Sequence, residues 1–182
     1  MNPTQQKEQR VGVFVDIQNM YYSAKNLYFS KVNYANVLKD AVAQRRLLRA
    51  FAYVVKADIS DEQNFFEALE KIGFEVRVKE LQVFLGGAKK GDWDVGLCMD
   101  AVRMLSKIDV LVLVSGDGDY TDLLDYARSQ GVRTEVICFG KTGSARLFEE
   151  ADEVIDMGKS PSKYLIKMKT NEKSREQPQP TQ

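Results

Sequence analysis

Four aspartates are the residues of this sequence best suited to chemistry, and they come from three separate stretches of chain. Asp16 directly follows the apolar run Val11–Val15, and Asp117 and Asp119 directly follow the run Val110–Val114. Asp94 stands near the start of an amphipathic stretch that leads into the second run. Carboxylates that meet from distant segments repel one another, and some stay protonated unless a counter-charge arrives. A hard, oxygen-preferring divalent cation, Mg2+ or Mn2+, supplies that charge. Such an ion lowers the pKa of a bound water and stabilises charge on an in-line phosphoryl transition state. The chemistry on offer is metal-assisted hydrolysis of a phosphodiester.

The composition closes the competing routes. The chain has 182 residues and no histidine. That excludes a Ser-His-Asp triad, two-histidine ribonuclease chemistry and histidine-ligated zinc. Cys98 and Cys138 are far apart in apolar surroundings and read as buried free thiols, not as a zinc site or disulfide. Net charge is zero, so attraction to nucleic acid must come from local basic patches. No apolar run reaches the roughly 20 residues of a membrane span. The polar start, Met1 to Arg10, lacks the apolar core of a signal peptide, and a cytoplasmic protein is expected.

Bringing those aspartates together needs a particular scaffold. Strand-like runs at Val11–Val15, Leu48–Val55, Phe74–Val78, Val110–Val114 and Val132–Phe139 alternate with helical segments, as in a parallel sheet covered on both faces. Helices are expected from about Asn19, over about Tyr34 to Gln44, after a capping box of Ser60 and Gln63, from Asp92, over about Asp119 to Ser129, and around Ser144 to Glu150. Leu81 to Leu85 extends or pairs with the third strand, and a short strand, Glu153 to Ile155, closes the series. The helix opening at Asp92 carries the apolar stripe Val95, Cys98, Met99, Val102 and Leu105, which we assign to the core. Open α/β sheets bind ligands at the carboxyl ends of their strands, which places Asp16, Asp117 and Asp119 along one edge. Asp94, in the first turn of an antiparallel helix, joins them there. Asp100 lies about 9 Å further along that helix and about 120° around it. Each aspartate alone is also an ordinary helix cap or turn former; their coincidence at one edge carries the argument.

The same residues resemble a known family. Val13-Phe14-Val15-Asp16-Ile17-Gln18-Asn19 is similar to the strand-Asp-x-x-Asn opening of NYN domains, a branch of the PIN-like nuclease superfamily. Lys90-Gly91-Asp92-Trp93-Asp94 with Asp100, the run Ser115-Gly116-Asp117-Gly118-Asp119-Tyr120, and Ser144, Leu147 and Ala151-Asp152 resemble its later motifs in order. The match runs from about Val11 to Ile155 and resembles the LabA-like group most. It implies a three-layer α-β-α sandwich with a mainly parallel sheet in the order 3-2-1-4-5, within a domain over 11–158. A polar extension would precede that domain at 1–10, and a basic, then Gln/Pro-rich tail would follow at 159–182. It also implies a metal-dependent ribonuclease using Mg2+ or Mn2+, with Asp16, Asp94, Asp117 and Asp119 as ligands. Asn19 and Ser115 would orient water or substrate, and Asp100 would be an additional or supporting acid. Tyr120 stands where the family usually has phenylalanine, and Asp92 is an extra acid.

Several features stay open at this point. Lys89 and Lys90 are placed to hold a nucleic-acid backbone, or equally to keep a loop soluble. Lys141 and Arg146 follow the fifth strand and are candidate phosphate contacts. Gly140-Lys141-Thr142 is not a P-loop, because Glu135 occupies the place of the required glycine. A dehalogenase-type phosphatase would need an aspartate where Gln18 stands. Tyr21, Tyr22 and Tyr28 either pack or stack on bases, and Arg45, Arg46 and Arg49 read as a solvated face. The tail from Lys159 to Lys173 is a docking helix or a nucleic-acid arm, and a disordered end is expected from about Asn171. The alternative to an RNA-cutting enzyme is an RNA-binding or regulatory module that keeps the acidic pocket; a homodimer remains open.

Overall fold

The computed structural model describes residues 6–56, 62–80, 82–83, 89–90 and 92–168. The elements follow the alternation read from the sequence. They are β1 (Arg10–Asp16), α1 (Ile17–Tyr28), β2 (Ser30–Val32), α2 (Tyr34–Val42), β3 (Arg46–Lys56), α3 (Glu62–Ile72) and β4 (Glu75–Glu80). Next come the two-residue strands β5 (Gln82–Val83) and β6 (Lys89–Lys90), then α4 (Asp94–Met104) and β7 (Val110–Val114). The chain continues through α5 (Thr121–Ser129), β8 (Arg133–Cys138), α6 (Ala145–Glu150), β9 (Glu153–Asp156), α7 (Pro161–Tyr164) and β10 (Leu165–Lys167).

Six strands form one parallel sheet in the order β4-β3-β1-β7-β8-β9. This is the expected order, with the short last strand added at the far edge. Every residue of β7 is buried, as is β1 from Val11 onward, which is why both runs are unbroken aliphatic sequence. Strand order reverses between β1 and β7. Their register pairs Val15 with Val114, so Asp16 and the turn after β7 open side by side at a topological switch point, where sheets of this kind bind ligands.

Five expectations need correction. Of the stretch Leu81 to Leu85, the described part Gln82–Val83 joins β6 in a separate two-stranded sheet and does not pair with β4. Only part of the expected stripe on α4 is core: Leu105 is buried and Cys98 packs against the interior. Val95 is 74% exposed, and Met99 and Val102 are exposed too, whereas Leu97, Ala101 and Met104 are buried. Both flanks of this helix are apolar, so periodicity alone could not tell the inner from the outer. Asp92 does not cap α4; Trp93 holds that position without a side-chain bond. Arg45 is not solvated but 5% exposed and paired with Glu135. Cys98 is half-buried and only Cys138 is fully inside.

The tail beyond residue 158 begins as a docked segment. β10 pairs antiparallel with β2, and the Asn33 amide and the Asn36 side-chain amide donate to the carbonyls of Tyr164 and Lys163. Ser60 and the expected disordered end lie outside the described residues.

Candidate metal centre and cleft

Asp16 is the last residue of β1 and also the N-cap of α1, where its Oδ1 accepts from the Asn19 amide at 3.0 Å. An aspartate suits both tasks, since a cap needs a short acceptor at the point where extended backbone turns helical. Asn19 in turn accepts from the Gly116 amide at 3.1 Å. This bond ties the first turn of α1 to the loop after β7. Ser115 is fully buried, and its Oγ accepts from the Asp117 amide at 3.2 Å. As placed, Asn19 and Ser115 shape the Gly116–Asp117 backbone. A side chain at Gly116 would crowd the Gly143 backbone, with its Cβ at 3.0 Å from the Gly143 Cα.

These bonds open a cleft of about 350 Å3. Asp16, Asp94, Asp117 and Asp92 line it, with Gln18, Asn19, Tyr22, Ser23, Asn26, Tyr53, Val55, Trp93 and Thr142. Three of the four expected ligands therefore share one cavity. Asp119 is exposed at its rim, where its amide donates to Asp117, yet its charge still reaches Asp94. Asp100 does not line the cleft. It accepts from the Tyr53 hydroxyl at 3.2 Å and pairs with Arg103 and Arg77.

The electrostatics are those of crowded acid. Asp16 is 9% exposed, and burial, with Asp94 and Asp117 nearby, pushes its carboxyl up to about 6 against the pull of its two hydrogen bonds. Burial also raises Asp94, and Asp92, Asp117 and Asp119 add to the shift. Among the described residues, no lysine or arginine lines the cleft. Tyr120 sits under the pair, fully buried, with its hydroxyl 3.2 Å from Asp16 and 2.9 Å from Asp94. A phenol has one proton to give, so it can serve only one of two ionised neighbours at a time. Among the described residues no three carboxylates close on one point as a finished ion cage.

Sequence reasoning missed Tyr120, Trp93, Tyr53 and the Thr142–Ser23 hydroxyl contact at 3.0 Å. Tyr120 was visible as a departure from the family pattern; its hydroxyl is the departure that counts. The other candidates are less central. Lys141 is exposed beside Thr142, and Arg146 points to Asp122 at 3.8 Å in a fully solvated pair. Lys89 and Lys90 pair with Gln82 and Val83 as a short hairpin, and their side chains lie outside the described residues. Tyr22 is half-exposed in the cleft with Tyr21 edge-on to it, while Tyr28 packs on Phe139.

The model of the NYN domain matches residues 10–160. The chain belongs to the NYN domain family. This NYN domain is 24% identical over 156 residues to the low amplitude and bright protein LabA of Synechococcus elongatus, covering 81% of this chain and 83% of that one. A crystal structure of a protein of unknown function, VPA0982 from Vibrio parahaemolyticus, superposes with a TM-score of 0.80 at 27% identity. The superposition covers 90% of this chain and 99% of the other. Membership places the protein among domains of nuclease type. No helix among the described residues is long and apolar enough to cross a membrane.

Proposed function

We propose that this NYN domain is a metal-dependent ribonuclease that hydrolyses phosphodiester bonds at the cleft between β1 and β7. One observation carries the reading: buried Asp16 shares a cavity with Asp94, Asp117 and Asp92, and among the described residues no basic side chain lines that cavity to balance them.

The donor set suits a hard cation. Mg2+ retains several waters and is commonly held by one or two carboxylates, so an incomplete cage is compatible with it. Asp16 and Asp117 would be the central ligands, with Asp94 beside them and Asp119 completing the site from the rim. When bound, the ion would activate water and neutralise developing phosphoryl charge. The protein's own part is placement. Asn19 and Ser115 fix the turn that carries Asp117, and Tyr120 holds Asp16 and Asp94 against each other. Without an ion these acids would repel a phosphate backbone, which argues against RNA binding in this cleft with no metal.

Incubating the full chain with single-stranded RNA and Mn2+ or Mg2+ tests the reading. Cleavage is expected, and Asp16→Asn and Asp117→Asn should abolish it while both variants keep the far-UV and near-UV circular dichroism of the parent. Full activity in both purified variants would end the assignment. RNA binding without products, whatever the metal or substrate length, would favour the regulatory module instead.

A further inference from the structure

Beside the acidic cleft lies a surface of opposite sign. The parallel register sets Phe51 against Glu75, Tyr53 against Arg77 and Val55 against Lys79. Side chains alternate along a strand, so Arg49, Phe51, Tyr53 and Val55 share one face with Glu75, Arg77 and Lys79. Phe51 is 1% exposed because Arg49 and Arg77 lie over its ring, 4.5 and 5.3 Å from the centroid. Arg103 joins from α4 through Asp100, which Arg77 also approaches. Three arginines thus surround two carboxylates, Glu75 and Asp100, and Lys79 adds a fourth cation to the same face. Lys79 has no carboxylate partner among the described residues; it lies over Trp93 and donates to the Asp92 carbonyl at 2.8 Å.

That surface runs into the cleft. Tyr53 lines the cleft and donates to Asp100, while Trp93 lines it and packs tilted against Tyr53, with ring centroids 5.4 Å apart, under Lys79. Arg77 and Lys79 are two residues apart on one strand face, about 7 Å, which suits consecutive phosphates of an extended strand. The guanidinium groups are held over Phe51 and by their carboxylate partners, and so lose little freedom on contact. A cleft of about 350 Å3 has the size of a small-ligand pocket, which suits an unpaired nucleotide.

We infer that Arg49, Arg77, Lys79 and Arg103 form a track for the backbone of single-stranded RNA that leads over Trp93 into the cleft. The track rests on the ribonuclease reading and supplies the cations that the cleft lacks. It draws in a strand that the acids alone would repel, and it makes affinity grow with oligonucleotide length.

The test compares Arg77→Gln/Lys79→Gln with a charge-matched control, Lys39→Gln/Lys71→Gln, on the distant α2 and α3. Binding of a labelled ten-nucleotide single strand is measured over a salt series in an Asp117→Asn background, and cleavage of the same strand in the parent background. The track variant should bind about tenfold more weakly. Its slope of log affinity against log salt should be shallower by about 1.4, the release expected for two single-strand phosphate contacts. KM should rise with kcat little changed, dinucleotide cleavage should be unaffected, and the control should match the parent. Should the double variant fold poorly, Lys79→Gln alone should give about half the slope change. Unchanged affinity and slope in a variant whose parent cleaves RNA would overturn the track and leave the nuclease reading standing. Equal losses in track variant and control would overturn it too, since net charge would then explain them. A parent that neither binds nor cuts RNA would overturn both.

Discussion

At the amino end of the sheet Glu135 is 1% exposed, and both its oxygens are held by Arg45 at 2.7 and 2.8 Å, with Arg133 adding a third bond at 3.0 Å. At the carboxyl end Asp16 is nearly as buried, yet its charged neighbours are Asp94 and Asp117. Arg45 also donates to the carbonyls of Ala41 and Val42, so four of its five N–H groups are engaged. One fold thus matches one buried acid completely and, among the described residues, leaves the other without a counter-charge. A buried charge without a partner is costly. The difference teaches where an ion is needed: the acid at the carboxyl end lacks what Arg45 provides at the other.

Removing the partner at the matched end should have the largest effect. Arg45→Ala strands Glu135, and we expect a loss of about 3–5 kcal/mol of stability, read from urea unfolding. A loss below about 1 kcal/mol would mean that Arg133 alone suffices, and the contrast between the ends would weaken.

The same operation at the unmatched end should have the opposite sign. The Asp16 carboxyl rises from 3.8 to about 6 in the folded protein, so between those values the folded state holds a proton that the unfolded state releases. Stability from this group therefore falls as pH rises, by about 3 kcal/mol once pH exceeds 6. Asp16→Asn keeps a capping acceptor and removes the charge. In EDTA the variant should match the parent near pH 3.5 and exceed it by up to about 3 kcal/mol at pH 7.5. A variant less stable than the parent at pH 7.5 would show that the carboxylate is already compensated.

A divalent ion should erase that deficit. Mn2+ at a hundred times its dissociation constant should add about 2.7 kcal/mol to the parent at pH 7.5. It should add little to Asp16→Asn, and little to either protein near pH 4. Thermal unfolding with and without the ion checks this.

The smallest effect concerns the bridge between the acids. Tyr120→Phe restores the family's usual residue and removes one hydroxyl contact, worth about 1 kcal/mol. Stability should change by no more than that in EDTA. Cleavage should fall a few-fold, because Asp16 and Asp94 lose the group that positions them. An unchanged rate would make the hydroxyl a packing feature only.

Much of this architecture was legible in the sequence because parallel strands buried on both faces announce themselves. Val110–Val114 cannot be much else, and an aspartate directly after such a run must emerge at the sheet's carboxyl edge. Asp16 and Asp117 were legible for that reason. Asp100 was less so, because a residue on the side of a helix can turn to either neighbour; here it meets Tyr53 and Arg103. Arg45 looked like one more charge in Arg45-Arg46. Its burial depends on Glu135, 90 residues away, and no local pattern encodes that pairing. The strands β2 and β10 are three residues each and exist only because they pair with one another.

Crystals of the full chain soaked in manganese give the most direct test, read as anomalous difference density. A peak within coordinating distance of Asp16 and Asp117, absent from Asp16→Asn crystals, is the predicted result. A cleft free of anomalous signal at saturating manganese, with Asp16 and Asp94 still linked only through Tyr120, would contradict the account.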